Sequence, residues 1–299
     1  MPRLRDRIRY QFLRSPLAPV WKDVRTISHR KEIKSRNSLV TGLTNDAYVQ
    51  AAADELNRTG LVDLGNCIDS LLMDELAESA HAKLTLGRDR EAKLPPGTSK
   101  KAFWQRLLDN ELIEGRMPAR SVYTRFALQR PILATIATAT GSLPQLDYVL
   151  LTQSLPTGPS LSQSQLWHRD HDDVRTIKVF VYLTDVASEG DGPFTMLPAA
   201  ASDRIGKSLK SHRTDQEIDP LIKRSEIRKV LAPALTCFAV ETSRCLHMGS
   251  RVGEGHSRLL YTATFTTFPG ILAKKGNAFV LSGEESELER AVLAPEGLQ

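Results

Sequence analysis

Cysteine is scarce in this chain. Its 299 residues hold three, Cys67, Cys237 and Cys245, an odd number with no CxxC pair. That argues against both a disulfide framework and a thiolate zinc site. Long apolar runs are missing as well: no stretch reaches the roughly 18 residues a spanning helix needs. Met1-Pro2-Arg3-Leu4-Arg5 is not followed by the apolar core of a signal peptide, so the expected location is cytoplasmic. There is no internal repeat and no low-complexity tract. What remains, 41% hydrophobic and 25% charged residues, is the composition of an ordinary globular protein and excludes wholesale disorder.

The net charge of +5 is unevenly spread. Residues 1–40 hold eleven Lys and Arg against Asp6, Asp23 and Glu32, a local +8, leaving 29 basic and 32 acidic residues in the body. Leu4, Ile8, Phe12, Leu17 and Trp21 are interspersed there, a pattern suited to peripheral contact with an anionic membrane. Pro16 and Pro19 interrupt any long amphipathic helix, so residues 1–44 read as a solvated, partly ordered basic arm. No nucleic-acid partner is expected for the body.

From Asn45 the spacing predicts a helix over Asp46–Arg58, capped by Thr44 or Asn45 and ended by Gly60, a short strand over Leu61–Leu64, and a helix over Ile68–Leu84. A loop over 85–100 precedes helical patterns at Phe103–Leu112 and Val122–Thr140, the latter broken or kinked at Pro131. The second half changes period. Tyr148–Leu155, Thr176–Leu183, Ala234–Val240 and Arg258–Phe268 read as strands without intervening long helices, which favours an antiparallel double sheet over a parallel one. The expected class is α+β: a jelly-roll (double-stranded β-helix) core at 146–270 with a mainly helical part at 45–145 packed on it. Together these form a single domain at 45–275, followed by a C-terminal tail at 276–299.

The densest chemistry lies in Leu166-Trp167-His168-Arg169-Asp170-His171-Asp172-Asp173. In extended backbone His168 and Asp170 share a face and can offer one metal an imidazole nitrogen and a carboxylate oxygen. Cys245-Leu246-His247-Met248-Gly249 offers a third ligand in His247. Two imidazoles and one carboxylate form the facial set of non-haem Fe(II) oxygenases, whereas Mg or Ca sites are built from oxygen. His171 directly follows Asp170, so it faces away, toward substrate or in support of the ligands. Eleven residues beyond His247, Arg258 opens a strand, and its planar fork suits a carboxylate. Thr262 shares its face and can bond the same carboxylate, and Phe180 can wall the pocket; ordinary core packing is the alternative for both. Arg251 and His256, in the Gly-rich stretch Met248–Ser257, read as exposed loop residues.

Trp167-His168-Arg169-Asp170, Val179 to Val186, Gly190-Asp191-Gly192-Pro193-Phe194-Thr195-Met196-Leu197-Pro198, His247 and Arg258 together resemble the phytanoyl-CoA dioxygenase family of Fe(II)- and 2-oxoglutarate-dependent oxygenases. The likeness spans about Asp46 to Pro269, pattern-level at the front and specific at the back. It implies that His168, Asp170 and His247 bind Fe(II), that Arg258 holds the distal carboxylate of 2-oxoglutarate, and that O2 is consumed as a small-molecule C–H bond is hydroxylated, with release of succinate and CO2. A carboxylate at Asp170 favours hydroxylation over halogenation, since similar halogenases carry a small residue there. The chain departs from the pattern at Phe180-Val181-Tyr182-Leu183-Thr184-Asp185, where members often have Trp-x-x-Leu-x-Asp, and at Ala199-Ala200-Ala201-Ser202, where they often have Gly-Ser-His. Two other readings stand beside it: a cupin-like metal protein without 2-oxoglutarate chemistry, and a non-catalytic binding module using the basic arm. The polar segment Ser202–Arg228, with Lys207, Lys210, Arg213, Lys223 and Arg224, reads either as a cationic cover selecting an anionic substrate or as a solvated insertion.

Overall fold

The computed structural model describes residues 11–13, 15, 17–91, 104–156, 161, 163–208, 210–249, 251–271 and 278–294. The strands are β1 (Leu61–Asp63), β2 (Trp104–Arg106), β3 (Met117–Pro118), β4 (Gln145–Ser154), β5 (Trp167–His168), β6 (Thr176–Tyr182), β7 (Phe194–Met196), β8 (His212–Arg213), β9 (Arg228–Val230), β10 (Cys237–Glu241), β11 (His247–Met248), β12 (Arg258–Thr266) and β13 (Phe279–Val280). Six form one antiparallel sheet in the order β1-β10-β6-β12-β4-β2, and five form a second in the order β8-β5-β11-β7-β9. This is the expected jelly roll.

Strand alternation builds two cores from the large sheet. Ile177, Val179 and Val181 of β6, with Leu259, Tyr261, Ala263 and Phe265 of β12, join the helices in the main hydrophobic cluster. The intervening Phe180, Tyr182 and Leu260 point the other way, against Phe194, Met196 and Phe238, between the sheets. The central strands β6, β10 and β12 are nearly all buried, and mostly apolar, because both faces of the large sheet are covered. Polar residues on the inner face, Lys178, Arg258, Thr262 and Thr264, therefore stand out.

The helical part agrees with expectation in outline. Ala47–Thr59 is capped by Asp46, whose side chain accepts from Tyr48 and Val49, rather than by Thr44 or Asn45. The 122–140 pattern divides into Val122–Ala127 and Arg130–Thr140, with Pro131 in the first turn of the second helix, where its missing N–H costs nothing. Ser70–Glu91 runs seven residues beyond Leu84, into the expected loop. The helix expected over Phe103–Leu112 is not formed: Trp104–Arg106 pairs with Thr152–Ser154 of β4, and Asp109–Glu111 is a single 3₁₀ turn. Tertiary pairing at the open sheet edge overrides a weak helical period. Phe103 lies outside the described residues.

The described residues toward both ends of the chain are packed. Helices Leu17–Ser28 and Arg30–Ser38 replace the solvated arm expected for this stretch; Leu4 and Ile8 lie outside the described residues. Lys22 is buried and donates to Asp173 Oδ2 at 2.9 Å, the Thr267 carbonyl at 2.9 Å and the Pro269 carbonyl at 2.6 Å. Arg36, also buried, donates to the Ala291 carbonyl at 2.7 Å and lies 4.1 Å over the Phe268 ring. Part of the N-terminal basicity is thus internal. Leu17, Val20, Trp21, Val24 and Ile27 nevertheless form an exposed apolar stripe on the first helix. The expected tail carries β13 and helix Glu287–Leu293, whose Ala291, Val292 and Leu293 are buried in the main core. Among the described residues, no helix is long and apolar enough to cross a membrane.

Candidate metal centre

The small sheet brings the two histidines together. His168 of β5 and His247 of β11 are direct antiparallel partners with ring centroids 4.2 Å apart. Each Nδ1 faces a backbone carbonyl, that of Leu166 at 2.8 Å for His168 and that of Cys245 at 2.9 Å for His247. A carbonyl only accepts, so Nδ1 carries the proton and Nε2 keeps its lone pair. Burial pushes His247 down to about 3, with His168 adding to the shift, and it lowers His168 as well. Both rings are neutral ligands in waiting.

Asp170 follows β5, its N–H donating to the Thr242 carbonyl at 3.0 Å. Its Oδ1 lies 4.0 Å from His168 Nε2 and its Oδ2 3.7 Å from His247 Nε2. The ligand atoms of all three fall within 4.8 Å of one another. Oδ2 is buried and receives no well-aligned hydrogen bond. A buried anionic oxygen left in this way, converging with two neutral imidazoles, fits a divalent ion held from one side.

Sequence reasoning missed Lys178. It sits on the inner face of β6, its Nζ 2.8 Å from Asp170 Oδ2, an ion contact without ideal hydrogen-bond alignment. Burial alone would raise the Asp170 carboxyl, but attraction to the Lys178 ammonium outweighs it and holds Asp170 well below the usual carboxylate range. Lys178 is raised in turn: burial opposes its charge, and Asp170 more than compensates. The available signal was a lysine at the third position of an otherwise apolar strand, Thr176-Ile177-Lys178-Val179-Phe180-Val181-Tyr182.

Arg258 is buried at the start of β12, donating from Nη1 to the Gly192 carbonyl, with Cζ 6.0 Å from the Tyr182 ring centroid. A Cβ built on Gly249 would lie 3.7 Å from Arg258 Nη2. Gly249 stands two residues beyond His247, so this open position faces the same side as the ligand ring. Thr262 and Phe180 are cross-strand partners on the inner face, both buried. Phe180 packs at 5.0 Å on Phe194, which stacks at 5.4 Å on His247. A concavity at the outer side of His168 and Asp170 is lined by Leu13, His171, Lys207, Lys210 and Arg213. His171 thus lines a concavity that His168 and Asp170 share and His247 and Arg258 do not. Arg251 is drawn in by a paired contact to Asp215 at 2.8 and 2.9 Å, which a sequence reading of exposure did not foresee. His256 is exposed and bonded to Asp191.

No family model and no curated protein matches the sequence. Solved structures do. The epimerase SnoN, solved with Fe3+, alpha ketoglutarate and nogalamycin RO, matches with a TM-score of 0.50 and 16% identity, over 74% of this chain and 84% of its own. EctD from S. alaskensis, solved with 2-oxoglutarate and 5-hydroxyectoine, matches with a TM-score of 0.50 and 13% identity, over 79% of each chain. The likeness is one of fold.

A glycine outside the site packs against the residue that holds one of its rings. Gly60 has φ +83°, and a Cβ there would lie 2.1 Å from Cys245 Sγ. The Cys245 carbonyl holds His247 Nδ1. Gly60→Ala is therefore expected to destabilise the fold by about 2–3 kcal/mol, combining left-handed strain with overpacking, and to weaken divalent-ion binding by turning His247. Urea unfolding and Co(II) titration of this variant check both. Adding Cys245→Ala removes the clash and is expected to restore ion binding, while the strain of about 1 kcal/mol persists.

Proposed function

We propose that the chain is an Fe(II)- and 2-oxoglutarate-dependent dioxygenase that hydroxylates a C–H bond of a small molecule, releasing succinate and CO2. The observation that carries this reading is the convergence of His168, Asp170 and His247 on one side of a point inside the jelly roll, with buried Arg258 beyond Gly249. Bound iron would supply the oxygen chemistry. The three ligand side chains would hold it from one face, and the two Nδ1 bonds keep the rings in register. Arg258 would take the distal carboxylate, with Thr262 beside it on the same face of β12. Phe180 and Phe194 exclude water from the His247 side.

The finer reading, membership of the phytanoyl-CoA dioxygenase family, rests on the His168-Arg169-Asp170, His247 and Arg258 pattern. Lys207, Lys210 and Arg213, which line the concavity beside His168 and Asp170, support an anionic substrate. SnoN and EctD, solved with nogalamycin RO and 5-hydroxyectoine, make a small-molecule substrate the natural expectation. The apolar stripe on helix Leu17–Ser28, in a segment of local charge +8 of which Lys22 and Arg36 are internal, supports peripheral contact with an anionic membrane.

Anaerobic addition of 2-oxoglutarate to the Fe(II)-loaded chain is expected to give a visible charge-transfer absorption. Admitting O2 is then expected to form succinate, sensitive to chelators and faster with the right substrate. A loaded, folded chain showing neither band nor succinate would favour the cupin-like alternative.

A further inference from the structure

The inner face of the large sheet holds two cations, Lys178 and Arg258; Asp170 is in contact with Lys178 at 2.8 Å, and Asp172 is close enough to act on Lys178 electrostatically. The four charges sum to zero. A divalent ion alone would bring the site to +2, and a dicarboxylate alone to −2; together they leave it neutral. Charge imbalance in a buried site is costly, because little water is present to screen it.

We propose that Lys178 is an internal counter-ion that holds Asp170 in the metal's absence, penalises binding of the metal alone, and so couples metal loading to arrival of the dicarboxylate. This rests on the dioxygenase reading and adds to it an order of assembly set by one side chain. The geometry is specific. Lys178 shares a cross-strand row with Thr264 and Tyr148, its Nζ 6.0 Å from the Tyr148 ring centroid. Its ammonium lies 2.8 Å from Asp170 Oδ2, the same oxygen that lies 3.7 Å from His247 Nε2. An ion approaching His247 and Oδ2 meets that ammonium. The dicarboxylate supplies the negative charge that lets both cations remain.

The test is a titration of the metal-free full chain with Co(II), with and without 2-oxoglutarate, at mildly alkaline pH. Lys178→Met is expected to bind Co(II) alone about ten-fold more tightly than the wild type, to bind it with a smaller enhancement by 2-oxoglutarate, and to hold 2-oxoglutarate alone more weakly. Asp172→Asn leaves the Lys178 contact intact and adds one positive charge, so it is expected to move Co(II) affinity the opposite way, by a similar factor. The second variant reads the same charge balance should Lys178→Met fail to fold. Unchanged or weaker Co(II) binding in folded Lys178→Met, or tighter binding in Asp172→Asn, would overturn the counter-ion role. Absence of Co(II) binding in the wild type and both variants, with 2-oxoglutarate present, would overturn the metal reading itself.

Discussion

Asp170→Ala is expected to abolish measurable divalent-ion binding and succinate formation, and also to destabilise the metal-free fold by about 3–5 kcal/mol. The first effect follows from the donor set: two imidazoles remain, but the only anionic ligand is gone. The second is less obvious and comes from Lys178. Its side chain is only 15% exposed, and its ammonium is paired at 2.8 Å with the carboxylate being removed. Breaking one partner of a buried pair strands the other charge, which costs far more than the intact pair contributes. The double variant Asp170→Ala/Lys178→Met removes both charges and is expected to recover most of the lost stability while remaining unable to bind metal. Urea unfolding of the two variants, read beside Co(II) titration, separates the roles. A single variant as stable as the wild type would mean that the Lys178 charge is satisfied elsewhere.

Much of this candidate site was legible because the residues that converge in it lie close in sequence or at telling distances. His168 and Asp170 are two apart and share a face in any extended chain, and Arg258 stands eleven residues beyond His247. The four long strands were legible too, since a sheet covered on both sides leaves nearly continuous apolar runs. Other features escaped for physical reasons. The small sheet consists of two- and three-residue strands, too short for a period to register. The partnership of Lys178 with Asp170 depends on two sheets facing each other, and nothing local in either segment encodes it. The same holds for Lys22 and Arg36: a cluster of basic residues reads as a solvated arm, yet these two close over backbone carbonyls far along the chain. The C-terminal helix is short and enters the core through Ala291, Val292 and Leu293, with Leu288 packed at its margin. At Trp104–Arg106, a strand was supplied by the free edge of β4 rather than by its own sequence.

Arg258→Met is expected to raise the 2-oxoglutarate concentration giving half-maximal succinate release by roughly 10²- to 10⁴-fold, with Co(II) affinity in the absence of 2-oxoglutarate unchanged or slightly higher. A charge-assisted hydrogen bond from a buried guanidinium contributes about 1.5–3 kcal/mol, and a forked pair to one carboxylate makes two of them. Methionine keeps most of the stem volume against Tyr182, so packing loss is small. Arg258→Lys keeps the charge but not the fork, and is expected to fall between the two. The deciding control is a 2-oxo acid lacking a distal carboxylate, such as 2-oxobutyrate. It presents the same chelating end to the metal and nothing to Arg258. If Arg258 grips the far carboxylate, wild type and Arg258→Met will bind 2-oxobutyrate equally weakly, and the whole difference between them will belong to 2-oxoglutarate. If Arg258 instead shapes the pocket through Gly192 and Tyr182, both 2-oxo acids will lose affinity together in the variant.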